Sequence, residues 1–373
     1  MQGVQAMTGN PFKYGTIVTG EDFVDREKEL ADMLREIQSK KSIVMYSNRR
    51  LGKSSLLSEF MRRNSRKYRF VFVDLYGMTD KSQLLEELVE RTTSAILGKV
   101  ENIASGIWGL LKSARLRLVM TPDGKLGIEP FKVEPTPADI TEILDLPEKL
   151  AKKRKKQVVV IFDEFQEAST FGGVSLLKLM RSRFQQHGNV VYIFCGSKQH
   201  VLHQLFDEKE GAFYKFARPM ELGNISRGEF EKFIVSRFRS AGGSVKTELA
   251  GEILKVTDGH PYYTQQIAHE LFDVSRAPKR KEDVELAVKN AVEHQKASFL
   301  YAWETTKSPL QRKYLVAVAK EPGGGYSYEF IQRYGLKSSS HVQKVERSLA
   351  ARGLIENGRI VDPIFALWLR SLA

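Results

Sequence analysis

The stretch Ser47-Asn48-Arg49-Arg50-Leu51-Gly52-Lys53-Ser54 has residue types and a spacing suited to holding phosphate. It fits the pattern G-x-x-x-x-G-K-[ST] at every fixed position but the first, where Ser47 replaces glycine. Such a loop wraps backbone N–H groups around phosphate oxygens and closes on a helix N-terminus, whose partial positive charge favours anions. Lys53 would then reach the terminal phosphates, and Ser54 would offer its hydroxyl to Mg²⁺. A second stretch supplies opposite charge. The apolar run Val158-Val159-Val160-Ile161-Phe162 ends in Asp163-Glu164. Two adjacent carboxylates at the exit of a buried strand cost free energy unless something pairs them. A phosphate-bound Mg²⁺ is such a partner: Asp163 would hold the metal through its shell, and Glu164 would orient and deprotonate an attacking water. The plain alternative is a strand that surfaces in two solvated acids.

These residues need elements to position them. Ile43-Val44-Met45-Tyr46 reads as a buried strand before the loop, and Leu56, Leu57, Phe60 and Met61 give the helix after it one apolar face. Phe70 to Tyr76 predicts another strand, and Leu84 to Leu97 an amphipathic helix. Val190 to Cys195 predicts a further strand, ending in Gly196-Ser197. A helix from Asp25 to about Ile37 precedes them all, and residues 1–20 read as a loose lead-in. Strands alternating with helices indicate an α/β fold with a parallel sheet. The strands bearing Asp163 and Ser197 are expected to flank the loop region, with the ligand at their carboxyl ends. Residues 100–150 interrupt the pattern. There, Arg115 to Met120, a turn at Asp123-Gly124, and Lys125 to Val133 read as a hairpin within an insertion. The basic run Lys152 to Lys156 is either a solvated helix end or a nucleic-acid contact or address signal.

From about Asn224 the chain turns helical, with Asp258-Gly259-His260-Pro261 separating two helices. Pro261 suits a helix first turn, and His260 either caps that helix or touches a ligand. The last segment carries three helices and a hairpin at Asn357-Gly358, which is the pattern of a winged helix. Opposite the apolar residues Val342, Val345 and Leu349, its third helix presents Ser340, Lys344 and Arg347, with Gln343 beside them. That face could meet DNA in the major groove, with Arg359 on the wing reaching backbone phosphate. Protein contact is the rival use of such a face. The aromatic tail Phe365 to Leu369 is expected to pack the core. The boundaries are read as 1–222 for the α/β core with its insertion, 223–305 for a helical lid, and 306–373 for the winged helix.

The chain has 373 residues and a net charge of +13, a balance that suits nucleic acid, an anionic nucleotide or a membrane surface. No apolar run is long enough to span a bilayer, so no membrane partner is expected. The N-terminus lacks the zones of a secretory signal. The single cysteine, Cys195, excludes an internal disulfide and fits a reducing, cytoplasmic setting.

Taken together the pieces resemble a known family. Asn10-Pro11-Phe12, Phe23-Val24-Asp25-Arg26-Glu27, Arg49 to Ser54, Phe162-Asp163-Glu164-Phe165, Phe194-Cys195-Gly196-Ser197, Asp258 to Pro261 and Asp362-Pro363-Ile364-Phe365-Ala366-Leu367-Trp368 resemble the archaeal-type ATPases. These belong to the STAND division of AAA+-related P-loop NTPases, and the resemblance spans nearly the whole chain. It implies an ATP/ADP-binding core, a helical lid and a winged helix. Phe23 to Glu27 stands where the family has an apolar-apolar-Gly-Arg-Glu motif near the adenine, so Arg26 is a nucleotide candidate, while Asp25 replaces the glycine. The family tolerates Ser47 at the first loop glycine. Asn48, Arg49, Arg50, Leu51, Gly52, Lys53, Ser54 and Ser55 would form the phosphate loop. Ser197 falls where a polar sensor follows its strand, and His260 and Pro261 match the lid motif. A cis-acting catalytic arginine is expected on the helix before the sensor strand: Arg181 first, Arg183 second. Arg218 is a further phosphate-sensor candidate. The implied activity is a nucleotide-operated switch, with ATP and Mg²⁺ bound between core and lid and the winged helix moving with the lid. A DNA-binding protein akin to archaeal replication initiators is one rival. Another is an ADP-locked scaffold that docks a protein partner, with assembly into a homo-oligomer as a further option.

Overall fold

The computed structural model describes residues 9–97, 118–120, 126–128 and 134–372. Two compact units emerge: Ile17–Gly20 with Arg26–Gly223, and Met1–Thr16 with Glu21–Asp25 and Asn224–Ala373.

In the first unit, β1 (Ile43–Ser47), β2 (Arg69–Asp74), β5 (Val158–Asp163), β6 (Val190–Gly196) and β7 (Arg218–Leu222) form one sheet in the order β2-β5-β6-β1-β7. Every neighbouring pair is parallel. Successive side chains of a strand point to opposite faces, and both sets are buried along β1, β5 and β6. This is why those strands read as unbroken apolar runs. β7 was not legible as a strand. Its sequence Arg-Pro-Met-Glu-Leu buries only Leu222, and the sheet edge tolerates a proline without an N–H. The order also corrects an expectation. β6 lies beside β1, but β5 stands one place further out, with β6 between them.

β3 (Leu118–Met120) and β4 (Leu126–Ile128) pair antiparallel, with Leu118 opposite Ile128. The expected hairpin therefore forms, while its turn lies outside the described residues. The second half of the expected insertion belongs to the core. Pro137–Leu144 and Leu146–Arg154 are helices whose Ile140, Ile143, Leu144, Leu146 and Leu150 join the buried cluster under the sheet. Thr136 and Asp139 make a capping box at the first of them. The residues of the basic run past Arg154 lie at and beyond the C-terminus of the second helix and are exposed.

Asp145, between these helices, fastens them to the Gly173–Phe184 helix. It accepts a two-pronged pair from Arg183, at 2.9 and 2.6 Å, and a contact from His187 Nε2 at 3.1 Å. Burial opposes its charge, but His187 and Arg183 outweigh burial and pull its pKa down to about 2. A carboxylate depressed below its unfolded value contributes stability above that value and loses it as pH falls toward the folded one. Asp145→Asn should therefore destabilise the protein by roughly 1–2 kcal/mol at neutral pH, allowing for partial solvent screening. The deficit should shrink between about pH 4 and pH 2, as urea unfolding across that range would record.

The second unit is helical: Arg227–Ser240, Thr247–Thr257, Pro261–Val274 and Lys281–Thr305, followed by Pro309–Lys320, Tyr328–Arg333 and Ser339–Ala351. A hairpin of β8 (Ile355–Glu356) and β9 (Arg359–Ile360) and a final helix, Pro363–Ser371, complete it. Asn357 and Gly358 both take positive φ, 47° and 69°, as a two-residue hairpin turn requires. Ser338 caps the Ser339–Ala351 helix. Glu346 on that helix accepts from Tyr314 Oη at 2.9 Å and from the Gly358 N–H at 3.1 Å, so one carboxylate fixes the wing against the bundle. Phe365 and Trp368 of the tail are buried, as expected. The lead-in is not loose throughout. Phe12 packs against Phe238 and Phe272, and the Arg237 guanidinium donates to the Pro11 carbonyl. A segment short of apolar residues hides this docking, because one phenylalanine does the anchoring.

Candidate functional site

The loop after β1 enters its helix, Lys53–Asn64, through Gly52 at φ 85°. That left-handed backbone favours glycine and explains why the motif has one at this place. Lys53 is the first helical residue, and its side chain turns toward the end of β5. Its ammonium pairs with Asp163 Oδ1 and with Glu164 Oε1, the latter at 3.0 Å. Burial works against the charge on Lys53, yet Asp163 and the other negative groups prevail and raise its pKa.

Glu164 is held from three sides. Besides Lys53, its Oε2 accepts from Ser197 Oγ at 2.9 Å, from the Ser197 N–H at 3.2 Å and from Gln166 Nε2 at 2.5 Å. Burial would raise its pKa, but Gln166, Lys53 and Ser197 together depress it to about 2. Gln166 lies so close to Gly196 that a Cβ there would stand 1.9 Å from Gln166 Oε1. The glycine before Ser197 thus makes room for the amide that holds Glu164. Gln199, just beyond, donates to Asn48 Oδ1 at 2.7 Å and ties the β6 exit to the loop.

The remaining candidates fall into place one by one. Ser54 is half-buried in the first helical turn, beside Lys53. Ser47 is buried and donates to the Asn48 carbonyl, while Arg49 and Arg50 are exposed. Leu51 is buried, and its carbonyl accepts from Arg26. Ser55 faces the other way and accepts from the Val18 N–H at 3.1 Å. Arg26 is 4% exposed and spends its guanidinium on Glu29, Leu51 O and Gly223 O. It clamps the loop to the end of β7. Asp25, standing in for a glycine, keeps the left-handed backbone at φ 48°. In the other unit, the His260 ring lies tilted against Tyr263, centroids 4.5 Å apart, and Pro261 starts the Pro261–Val274 helix. Ser340, Gln343, Lys344, Arg347 and Arg359 are all exposed.

Two arginines are not brought to the strand ends where Lys53 lies. Arg218 opens β7 opposite Ile43, at the amino edge of the sheet, and pairs with Glu36 at 2.7 Å. Arg181 covers the Phe216 ring at 4.5 Å near that same edge and bonds Gln185. The helix carrying Arg181 ends just before β6 begins, so its last turn lies at the amino end of the strand. Arg183 is taken by Asp145. Sequence reasoning also passed over Asp74, which ends β2 directly beside Asp163 in register. Burial and the neighbouring Asp163 and Glu164 raise its pKa, a third carboxylate in one field. Only the strand pairing, not any spacing, reveals it.

Among the described residues no cluster of three or more His, Cys, Asp or Glu could hold a metal alone. Mg²⁺ commonly takes one or two protein oxygens and completes its shell with phosphates and water. The hard oxygen donors Ser54 and Asp163 at the loop fit that requirement. The buried Cys195 thiol has its pKa pushed well up by burial and offers no ligand.

A parallel sheet in this order, a glycine-closed loop leading into a helix, and an acid pair on a strand beyond the neighbouring one define a P-loop ATPase core. The chain belongs to the family described as an ATPase domain predominantly from Archaea, whose model matches residues 23–267. Residues 302–371 match the model for a winged helix domain. Among solved structures, a Walker-type ATPase of Pyrococcus abyssi superposes with a TM-score of 0.68 at 22% identity, covering 96% of this chain and 99% of that one. The ORC2 protein of Aeropyrum pernix, in ADPNP–ADP complexes, gives 0.58 at 14% identity, with 97% of each chain covered. At such identities the likeness is one of fold. No curated protein matches the chain. Among the described residues no helix is long and apolar enough to cross a membrane.

Proposed function

We propose that this chain binds adenine nucleotide with Mg²⁺ at the loop and hydrolyses ATP, and that the nucleotide state is passed to the helical and winged-helix unit as a switch. The observation that carries this reading is the convergence of Lys53, Asp163, Glu164 and Ser197 at one end of the sheet. Ser54 and Asp163 would hold Mg²⁺, which when bound neutralises developing phosphate charge. The chain's own residues do the rest. The loop N–H groups and Lys53 bind phosphate oxygens. Lys53 gives up its contact with Glu164 in doing so. Relieved of one cation, the Glu164 carboxylate becomes basic enough to take a proton from the attacking water at Oε1. Ser197 and Gln166 hold Oε2 and keep the carboxylate aimed. The ORC2 neighbour is a nucleotide complex, which supports an adenine nucleotide as ligand.

A second reading, nucleotide-regulated DNA binding, is favoured by the exposed row Ser340, Gln343, Lys344, Arg347 with Arg359 on the wing. A protein partner or a second copy would use the same face. Calorimetry with ADP and a non-hydrolysable ATP analogue in Mg²⁺ buffer, with phosphate release measured alongside, tests the main proposal. Saturable heat and slow turnover are expected. Absence of heat would overturn the nucleotide reading. Heat without turnover, with ADP carried through purification, would favour a locked scaffold.

A further inference from the structure

At the amino edge of the core sheet lies a cavity that the ATPase reading does not use. A cavity of about 460 Å³ is lined by Lys40, Lys41, Phe184, His187, Lys215, Phe216 and Arg218, among others. No carboxylate is in that lining. Arg218 and His187 are answered by Glu36 and Asp145. Among the described residues, Lys40, Lys41 and Lys215 make no ion pair, and all three are exposed; Lys215 lies over the Tyr214 ring at 5.2 Å, a contact that leaves its charge unneutralised. Lys40 and Lys215 hold φ of 56° and 53°, where a lysine is uncommon. Both sit in turns that line the cavity. Next to the cavity, the Arg181 guanidinium lies over the Phe216 ring at 4.5 Å, and its hydrogen bond goes to neutral Gln185 rather than to an acid.

Cations without an acid partner, beside a guanidinium held over an aromatic ring, are two halves of one recognition mode. Single-stranded nucleic acid is bound by neutralising its phosphates while its bases stack on aromatic rings or arginine planes. An acidic peptide would use the charge but not the platform. We propose that this edge of the core is a binding site for single-stranded nucleic acid, with Lys40, Lys41 and Lys215 on phosphates and Arg181 stacking a base. It uses none of the residues of the winged-helix face or of the loop at Lys53.

The experiment is fluorescence anisotropy of the full chain with labelled dT20 over a range of NaCl. Wild type should bind with a steep salt dependence. Lys40→Gln/Lys41→Gln/Lys215→Gln should bind more weakly, its log–log salt slope flattened by about 2, since each phosphate contact on a single strand contributes about 0.7. Arg181→Lys keeps the charge and should leave the slope in place while weakening binding about fivefold or more. ATP turnover is followed in the same variants and should be unchanged, so a failure here is distinguishable from a failure of the ATPase reading. An unaltered affinity and slope in the triple variant would overturn the proposal. So would loss of binding in Lys344→Ala/Arg347→Ala alone, or displacement of dT20 by polyglutamate as readily as by unlabelled dT20.

Discussion

Glu164→Gln should stop ATP turnover and leave nucleotide bound. The rate is expected to fall by about 10²–10⁴-fold, the usual worth of a positioned general base. The geometry explains why binding survives. Glutamine keeps an oxygen to accept from Ser197, whose hydroxyl reaches Glu164 at 2.9 Å, and it fills the same volume. What it loses is one negative charge beside a triphosphate, which if anything makes room for the anion. Affinity by calorimetry should therefore be equal to or tighter than wild type, while phosphate release fades. A variant that lost binding and turnover in equal measure would mean that Glu164 holds the loop together and does not serve as the base. Gln166, Lys53 and Ser197 hold the Glu164 pKa down to about 2. A carboxylate so strongly stabilised is a poor proton acceptor, and in the proposed mechanism the departure of Lys53 toward phosphate removes one of these groups and raises its base strength. Hydrolysis then depends on nucleotide being fully seated, which suits a slow switch better than a fast enzyme.

The parts of this site that were legible in the sequence are those fixed by local rules. Spacing alone places Gly52, Lys53 and Ser54 at the entrance of a helix. A buried apolar run alone delivers Asp163 and Glu164 to the end of a strand. The winged helix, with its Asn357-Gly358 turn, is equally local. What stayed hidden depends on neighbours in space. Asp74 becomes part of the acidic field only because β2 lies against β5 in register. The separation of β5 from β1 by β6 is a matter of topology, which hydropathy does not encode. Arg181 and Arg218 show the same limit. A sequence says that an arginine precedes a strand, but the direction of its helix decides which end of the sheet it meets. The two helices at 137–154 were obscured by Pro137 and Pro147, which look like breakers yet sit in first turns where proline is tolerated. Gln166 was invisible as well, since its hold on Glu164 rests on the missing side chain of Gly196.

Lys53→Ala should abolish nucleotide binding and also cost stability, and the two losses have one origin. The ammonium is the cation shared by Asp163, which is 6% exposed, and Glu164. Two or more charge-assisted bonds to phosphate vanish with it, each worth about 1.5–3 kcal/mol, so affinity should fall by about 10²-fold or more. Without ligand, the variant leaves Asp163, Glu164 and Asp74 facing one another without their lysine. Removing one partner from a buried pair typically costs about 3–5 kcal/mol. Like charges left together have their folded-state pKa values raised, and a raised carboxylate disfavours the folded state most when it is ionised. The deficit should therefore be largest at neutral pH and shrink as pH falls below about 5, in the same direction as for Asp145→Asn but beginning at a higher pH. Thermal unfolding at pH 7 and pH 4, beside calorimetric titration with ADP, would record both effects. Full stability with lost binding would show that Asp163 and Glu164 tolerate each other without Lys53, and would remove the electrostatic coupling between loop and acid pair on which the proposed switch relies.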